Sequence, residues 1–346
     1  MARATTMKAW QYSSTKGGLE KNLRLNESAA IPTPKHGQHL VQVLATALNP
    51  IDYKPAEIRL ISLLAIPKPA TPGLDFVGYL VTPAAGSSLK PGQLVHGCTG
   101  TLPLAGGGLA EYAICKPEQV VAVPEGIDRT DAATLAVAGL TAYQTIVPYV
   151  KAGDRVFING GSGGTGVFGI QIAKAVGCSV TTSCSTANVE LCKSLGADSV
   201  IDYKKQGVLE ALKASGHTFD HVVDNVAADF DLYWKCHEYT RPGAVFMNVA
   251  GHLTLPYFWD SFLRRVWPGF LGGGKRKSQG FFAQAKPDQL AQITTWMKEG
   301  KLRTVIDQKF PFDQAPQALA KLKSGRARGK IVVEISSDGF KPPESR

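Results

Sequence analysis

Residues 158–174 read INGGSGGTGVFGIQIAK, from Ile158 to Lys174, with six glycines packed into the stretch. Glycine loses more backbone freedom on folding than any other residue, so such a cluster marks a sharp turn or a close backbone approach. The flanks decide what kind of turn it is. Arg155-Val156-Phe157-Ile158 is short, apolar and β-prone, and reads as a buried strand. Val167, Ile170, Ile172 and Ala173 continue as a buried helix. Between them, Gly161-Ser162-Gly163-Gly164-Thr165-Gly166 fits G-x-G-x-x-G, and in a strand–turn–helix setting that pattern is a dinucleotide-binding turn. Ser162, Gly163, Gly164, Thr165, Gly166 and Val167 then bring backbone N–H groups toward a pyrophosphate. The helix N-terminus adds unpaired donors and a partial positive charge. The competing reading is a glycine turn with a purely structural role.

On either side of this stretch the texture differs. The first third is β-rich: Leu40 to Leu44 is a half-alternating strand, and Pro72-Gly73 and Pro91-Gly92 punctuate further short strands. From about Thr130, helices and strands alternate. Asp131 to Val147 reads as one helix. Ser179 to Thr182, Ser199 to Ile201, His221 to Val223 and Ala244 to Met247 read as strands, with helices at Asn188 to Leu195 and Val208 to Lys213. A helix near Gln317 to Lys323 and a strand Lys330 to Glu334 follow. This order predicts an α/β chain in which a doubly wound parallel sheet is inserted into a β-rich domain built from both chain ends. The expected boundaries are 1–125 with 285–346 for the β-rich domain and 126–284 for the dinucleotide domain.

The chain has 346 residues, 44% of them hydrophobic and 19% charged, with a net charge of +10. Its basic balance fits an anionic cofactor and a solvated surface. With no nucleic-acid motif, and Lys275-Arg276-Lys277 the one compact basic run, no nucleic-acid partner is expected. Six cysteines without a C-x-x-C pair read as reduced intracellular thiols, which points to the cytoplasm. Histidine and cysteine spacing does not suit a metal site, so no metal is expected. No apolar run reaches the roughly 18–20 residues of a spanning helix, and residues 1–6 are too short to read as a targeting segment.

Several segments in the same order carry a family resemblance: ALNPIDYK at 47–54, PGLDFVG at 72–78, GGGLAEY at 106–112, VAGLTAYQ at 137–144, the glycine loop, LGADSVIDYK at 195–204, VVDNVA at 222–227, EGKLRTVID at 299–307 and SGRARGKIVV at 324–333. Over nearly the whole chain the sequence resembles the zinc-independent, quinone oxidoreductase-like branch of the medium-chain dehydrogenase/reductases. Within that branch it is similar to chloroplast-envelope quinone oxidoreductase homologues and to fungal trans-acting enoyl reductases. The resemblance implies a Rossmann domain inserted into a GroES-like catalytic domain. One departure is Gln93 in PGQLVHG, where the family has Asp; it bears on a turn, not on chemistry.

About 20 residues past the glycines, NAD-preferring folds place an acid on the ribose hydroxyls. Here Thr181 to Ser185 contains no carboxylate. Ser185, Thr186 and Asn188 offer hydroxyl and amide groups that suit a 2′-phosphate, and helix capping by Thr186 or Asn188 is the alternative. The resemblance sets Tyr203 against the adenosine phosphate with Lys204 nearby, and brings Arg326 to the same phosphate with Lys330 as a further basic candidate. The expected cofactor is NADPH.

The resemblance also bears on the chemistry. Where the zinc branch has Gly-His-Glu, this chain has Gly73-Leu74-Asp75. Without a Lewis acid the accessible reaction is reduction of a polarised C=C bond, which needs a donor for the enolate oxygen and a proton for the α carbon. Lys54, on a loop that the family turns toward the nicotinamide, is the leading donor; Tyr53 is the alternative, and a solvated surface lysine is the plain reading. Asn49 stands on the same loop and serves the cofactor or orders the turn with Asp52. Thr141 resembles a threonine near the carboxamide, or is a core residue of its helix. Asn225 and Asn248-Val249-Ala250 lie at strand ends, where open α/β sheets bind ligands.

Phe258, Trp259, Phe262, Leu263, Val266, Trp267 and Phe270 recur at helical spacing beside Arg264, Arg265 and the basic run. Their readings are a substrate-pocket wall, an interfacial membrane helix, or packing against the body or a dimer mate. The expected partner is a small apolar carbonyl substrate, with a peripheral membrane contact or a carrier protein left open, and a monomer or homodimer. The leading function is an NADPH-dependent reductase of enones, alkenals or quinones. The alternatives are a trans-acting enoyl reductase of a polyketide pathway and a non-catalytic NADPH-binding protein.

Overall fold

The computed structural model describes residues 5–99, 106–249, 251, 254–267 and 269–336; Ala250 and the side chain of Phe270 lie outside the described residues. The chain divides into two units, Met1–Leu140 with Ala285–Arg346, and Thr141–Gln284.

The first unit contains β1 (Thr6–Gln11), β2 (Arg24–Ala30), β3 (His39–Leu48), β4 (Asp75–Thr82), β5 (Leu94–Cys98), β6 (Tyr112–Cys115) and β7 (Val120–Ala122). The second contains β8 (Arg155–Asn159), β9 (Ser179–Cys184), β10 (Ser199–Asp202), β11 (Phe219–Asp224), β12 (Thr240–Asn248) and β13 (Lys277–Gly280). The chain then returns to the first unit with β14 (Ile306–Pro311) and β15 (Lys330–Glu334).

In the first unit the main sheet runs β14-β15-β3-β4-β5-β7, with β6 also on β3. Every residue of β3 is buried. The half-alternating pattern expected for Leu40 to Leu44 is therefore corrected: a central strand covered on both faces has no solvent side, so Gln42 and Thr46 are buried with their apolar neighbours. Leu44, Ala45 and Ala47 pack with Val77, Ala132 and Val332 on one side, and Val41 and Val43 with Phe76 and Leu80 on the other. The helix expected over Asp131 to Val147 is broken into Arg129–Ala132 and Ala136–Ile146. The second piece has its own N-terminal partner: Asp75, at the start of β4, accepts the Val137 N–H at 2.8 Å. A carboxylate at that end satisfies an otherwise unpaired donor and complements the helix dipole. Gln93 also acquires an explanation. Its Oε1 accepts the Lys90 N–H at 3.1 Å, as the Asp154 carboxylate accepts the Lys151 N–H at 2.9 Å in the turn before β8. The amide closes the turn that an aspartate would close.

The second unit is a sheet of order β10-β9-β8-β11-β12-β13, parallel throughout. Counted from β8, that is 3-2-1-4-5-6, the doubly wound order. The helices Gly164–Val176, Val189–Ser194 and Val208–Ala214 make the first crossovers. Phe157, Leu212, Phe219, Val222, Tyr239 and Phe246 form the centre of its core. Strand order reverses between β8 and β11, so the carboxyl ends of these two strands, Asn159 and Asp224, stand side by side. Ligands of open α/β sheets bind at such a switch point.

Candidate functional site

The glycine stretch leaves β8 at this switch point. The left-handed turn falls at Gly160, with φ 79°, one residue before the G-x-G-x-x-G pattern starts. Neighbouring β9 fixes the loop from behind: Ser183 Oγ accepts the Gly160 N–H at 3.0 Å, and the Ser183 carbonyl accepts the Gly161 N–H at 2.9 Å. Gly166 is required by proximity, since a Cβ there would stand 2.2 Å from the Gly160 carbonyl oxygen. Gly163 differs. It caps the helix Gly164–Val176 without a side-chain partner, and a Cβ on it would meet only the Gly160 oxygen at 3.5 Å. The loop is tight on its protein side and open in front of the helix N-terminus. This is the form of a cradle for an anion, and a pyrophosphate fits it.

Past the end of β9 the expected polar set comes together. Asn188 Nδ2 donates to Ser162 Oγ at 3.1 Å and to Ser185 Oγ at 3.2 Å, which ties the glycine loop to the segment after β9. Asn188 Oδ1 is buried without a hydrogen-bond partner. Tyr203 is 49% exposed and attached to the same edge through its N–H, which donates to the Cys184 carbonyl at 3.1 Å. Lys204 Nζ lies 5.5 Å from the Tyr203 ring. The Thr186 hydroxyl is the largest of the influences that lower the pKa of the neighbouring Asp202 carboxyl. Ser162, Ser185, Asn188, Tyr203 and Lys204 thus form one surface, and the arrangement suits the adenosine end of a dinucleotide.

At the switch point itself, Asn159 Nδ2 donates to Asp224 Oδ1 at 2.8 Å, and the same oxygen accepts the Val226 and Ala227 N–H groups at 2.9 Å. Asn225 Nδ2 donates to the Asn159 carbonyl at 3.2 Å, leaving its own buried Oδ1 without a partner. Val249, half-buried, is held by its N–H on the Asp224 carbonyl at 3.0 Å. Asn159 and Asp224 received no role from the sequence. An isolated acid closing an apolar strand, as Asp224 does, was the available signal. Thr141 is buried, and its carbonyl accepts the Thr145 hydroxyl at 2.7 Å.

In the first unit, β3 runs into a short 3-10 turn, Pro50–Asp52, and the helix Lys54–Glu57. Asp52 Oδ2 accepts the Asn49 N–H at 2.7 Å. Asn49 Nδ2 donates to Asp75 Oδ2 at 2.8 Å and to the Ala47 carbonyl at 3.2 Å, while its Oδ1 accepts from Lys330 Nζ at 2.5 Å. Lys330 Nζ also reaches the Leu48 carbonyl at 3.3 Å and Asp75 Oδ2 at 3.4 Å. One expectation is corrected here: Lys330 is not a solvated base near a phosphate but is 2% exposed inside this network. Of the two readings of Asn49, the structure shows the one in which it orders the turn with Asp52. Burial raises both carboxyls, and that of Asp52 is pushed up to about 7. Asp75 is the carboxyl in contact with Lys330, Asn49 and Val137, and the lysine's charge opposes the effect of burial on it.

Lys54 and Tyr53, both half-buried, follow this network. Desolvation lowers the Lys54 pKa. The Tyr53 pKa is raised, by burial first and then by Glu57. Lys323 Nζ stands 5.5 Å from the Tyr53 ring and bonds Glu57 at 2.6 Å and Glu20 at 2.5 Å. Arg326 is exposed, its N–H on Ser324 Oγ at 3.3 Å. Among the described residues, no group of three His, Cys, Asp or Glu side chains is placed to hold a metal ion.

Two family models match parts of the chain. Residues 35–125 match the alcohol dehydrogenase GroES-like domain, and residues 195–333 match the family model described as zinc-binding dehydrogenase. A trans-enoyl reductase of Aspergillus terreus is 48% identical over 96% of this chain and 97% of its own length. The chain belongs to the quinone oxidoreductase-like branch of the medium-chain dehydrogenase/reductases. A chloroplastic quinone-oxidoreductase homologue of Spinacia oleracea is 32% identical over 96% of this chain and 99% of its own. The solved quinone oxidoreductase of Coxiella burnetii superposes with a TM-score of 0.81 at 29% identity, covering 95% of this chain and 99% of that one. The protein is therefore an oxidoreductase of a nicotinamide-binding family. Among the described residues, no helix is long and apolar enough to cross a membrane.

Proposed function

We propose that this oxidoreductase uses NADPH to reduce a polarised C=C bond in an enone or alkenal, or a quinone, without zinc. The observation that carries the reading is Lys54, half-buried at the start of the short helix that follows β3 and its turn, where desolvation makes its ammonium more acidic. NADPH, when bound, supplies the hydride to the β carbon. Lys54 Nζ holds the enolate oxygen that develops on the substrate and gives a proton toward the α carbon. The turn Asn49–Asp52 positions it, fixed from beneath by Asp75 and Lys330. The choice of NADPH rests on Ser185 and Asn188, which offer a hydroxyl and an amide where an NAD site has a carboxylate, with Tyr203 and Lys204 on the adjoining edge; the family resemblance implies Arg326 as a further phosphate ligand. The zinc-free reading rests on Leu74, which cannot ligate, and on Asp75, whose carboxylate is already bonded to Asn49, Val137 and Lys330. Activity should survive chelators, and activity lost with stoichiometric zinc would overturn that part.

The 48% relative named as a trans-enoyl reductase favours a second reading, an enoyl thioester presented on an acyl carrier. Steady-state NADPH oxidation with free enones, quinones and carrier-bound enoyl thioesters decides between them. Turnover of free enones or quinones supports the first reading, and activity confined to carrier-bound thioesters supports the second. No turnover with any of the three refutes both.

A further inference from the structure

The helix Leu255–Val266 lies in the second unit with its polarity reversed. Asp260 and Arg264, one turn apart, are both buried side chains, paired at 2.6 Å. Trp234 Nε1 donates to Asp260 Oδ1 at 2.7 Å, and the Arg264 guanidinium lies 4.4 Å over the Tyr233 ring. These contacts fix the helix's rotation about its axis. Leu255, Phe258, Trp259, Phe262 and Val266 follow i, i+3, i+4, i+7 spacing and share the opposite face, where they are 85%, 55%, 63%, 52% and 53% exposed. A surface helix ordinarily buries its apolar stripe; this one turns it outward.

The exposed charges of the segment that carries this face are of one sign. In residues 254–282 Asp260 is the sole acid, and it is buried in the ion pair. Helical spacing puts Arg265 at the border of the apolar stripe. Lys275 and Lys277 are exposed on the basic stretch, which joins the helix through Tyr233: its ring carries Arg264 and its hydroxyl donates to the Arg276 carbonyl at 3.0 Å. A two-fold contact with a second copy would set this basic rim against itself. An anionic lipid surface matches both features, because aromatic and aliphatic side chains enter the headgroup boundary while lysine and arginine remain at the phosphates.

We propose that the Leu255–Val266 helix docks the protein flat on an anionic membrane surface, with Trp259 and Phe262 inserted and Arg265, Lys275 and Lys277 on the lipid headgroups. The test is flotation of the full chain with vesicles of equal parts phosphatidylserine and phosphatidylcholine, and with phosphatidylcholine alone. Binding to the mixed vesicles, weakened by salt, is expected, with a blue shift of tryptophan emission that Trp259→Phe removes. Trp259→Ser with Phe262→Ser should weaken binding by at least about tenfold; both side chains are exposed, so the core is untouched. Arg265→Gln, Lys275→Gln and Lys277→Gln should each weaken it by about fivefold. The proposal is overturned by no binding, by binding equal on pure phosphatidylcholine, or by binding indifferent to the double substitution. A dimer in sedimentation that the same double substitution dissolves would assign the face to a second copy instead.

Discussion

Burial acts on Tyr53 and Lys54 in opposite senses. It disfavours a phenolate, so the Tyr53 proton is held more tightly, and it disfavours an ammonium, so Lys54 releases its proton more readily. Of two adjacent donors, the one closer to neutral in acidity transfers a proton better at physiological pH. Lys54→Ala should therefore lower single-turnover hydride transfer by about a hundredfold, the low end for a positioned donor, with the NADPH dissociation constant unchanged. Tyr53→Phe should lower it far less. Wild-type rate should fall on the alkaline side at a pH below the usual lysine range, and Lys54→Ala should lack that limb. Parallel loss of binding and rate in Lys54→Ala would make the residue a cofactor anchor. Asp52 gives a second prediction. Its folded pKa, about 7, is raised above the ordinary carboxyl value, so its contribution to stability is complete below about pH 4 and is lost as pH rises through 7. In Asp52→Asn the amide oxygen still accepts the Asn49 N–H while the titration is gone. Thermal melts from pH 4 to 8 should show a flatter dependence in the variant; parallel curves would mean that Asp52 does not titrate in this window.

Among the elements, the glycine loop makes the sharpest demand on sequence. A Cβ at position 166 meets backbone rather than a movable side chain, so Gly166→Ala must displace the loop from the helix N-terminus. Gly163→Ala, with open space in front, is tolerated by the fold and intrudes only on the bound anion. The expected pattern is a lowered melting temperature and lost NADPH binding for Gly166→Ala, but weakened binding at near-normal stability for Gly163→Ala. Equal melting temperatures for the two would contradict the geometry. This loop was legible because its signal is local: strand, glycines and helix are contiguous, and so were β9 to β12. The network of Asn49, Asp52, Asp75 and Lys330 was not. Lys330 follows two exposed arginines and reads as one more surface base, and only the pairing of β15 with β3 brings it under Asn49. The broken helix is a similar case, since the carboxylate at Val137 comes from β4, far away in sequence. Spacing revealed the stripe of Leu255–Val266 but not which way it faces, because that is set by Trp234 and Tyr233 from another segment.

At the scale of the whole molecule, charge and cofactor choice are one question. A net charge of +10 draws any anionic dinucleotide, NADH as well as NADPH, and favours the additional phosphate only through a long-range field that salt screens. Selection requires groups that touch the additional phosphate. Asn188 and Ser185 are held together with Ser162 at the end of β9, and Tyr203 and Lys204 stand on the adjoining edge. Charge-assisted hydrogen bonds contribute roughly 1.5–3 kcal/mol each, so two of them favour NADPH by about a hundredfold or more. Raising the salt concentration should weaken both nucleotides through the long-range field, and should reduce the NADPH advantage only in part, because contact pairs are screened less than distant charges. Arg326→Ala should weaken NADPH much more than NADH. The measurement is a fluorescence titration of both nucleotides, wild type and variant, at low and at physiological ionic strength. If NADH binds as tightly as NADPH, the phosphate site proposed here is wrong. If Arg326→Ala weakens both nucleotides equally, Arg326 belongs to the general positive field and the preference resides in Ser185, Asn188 and Lys204.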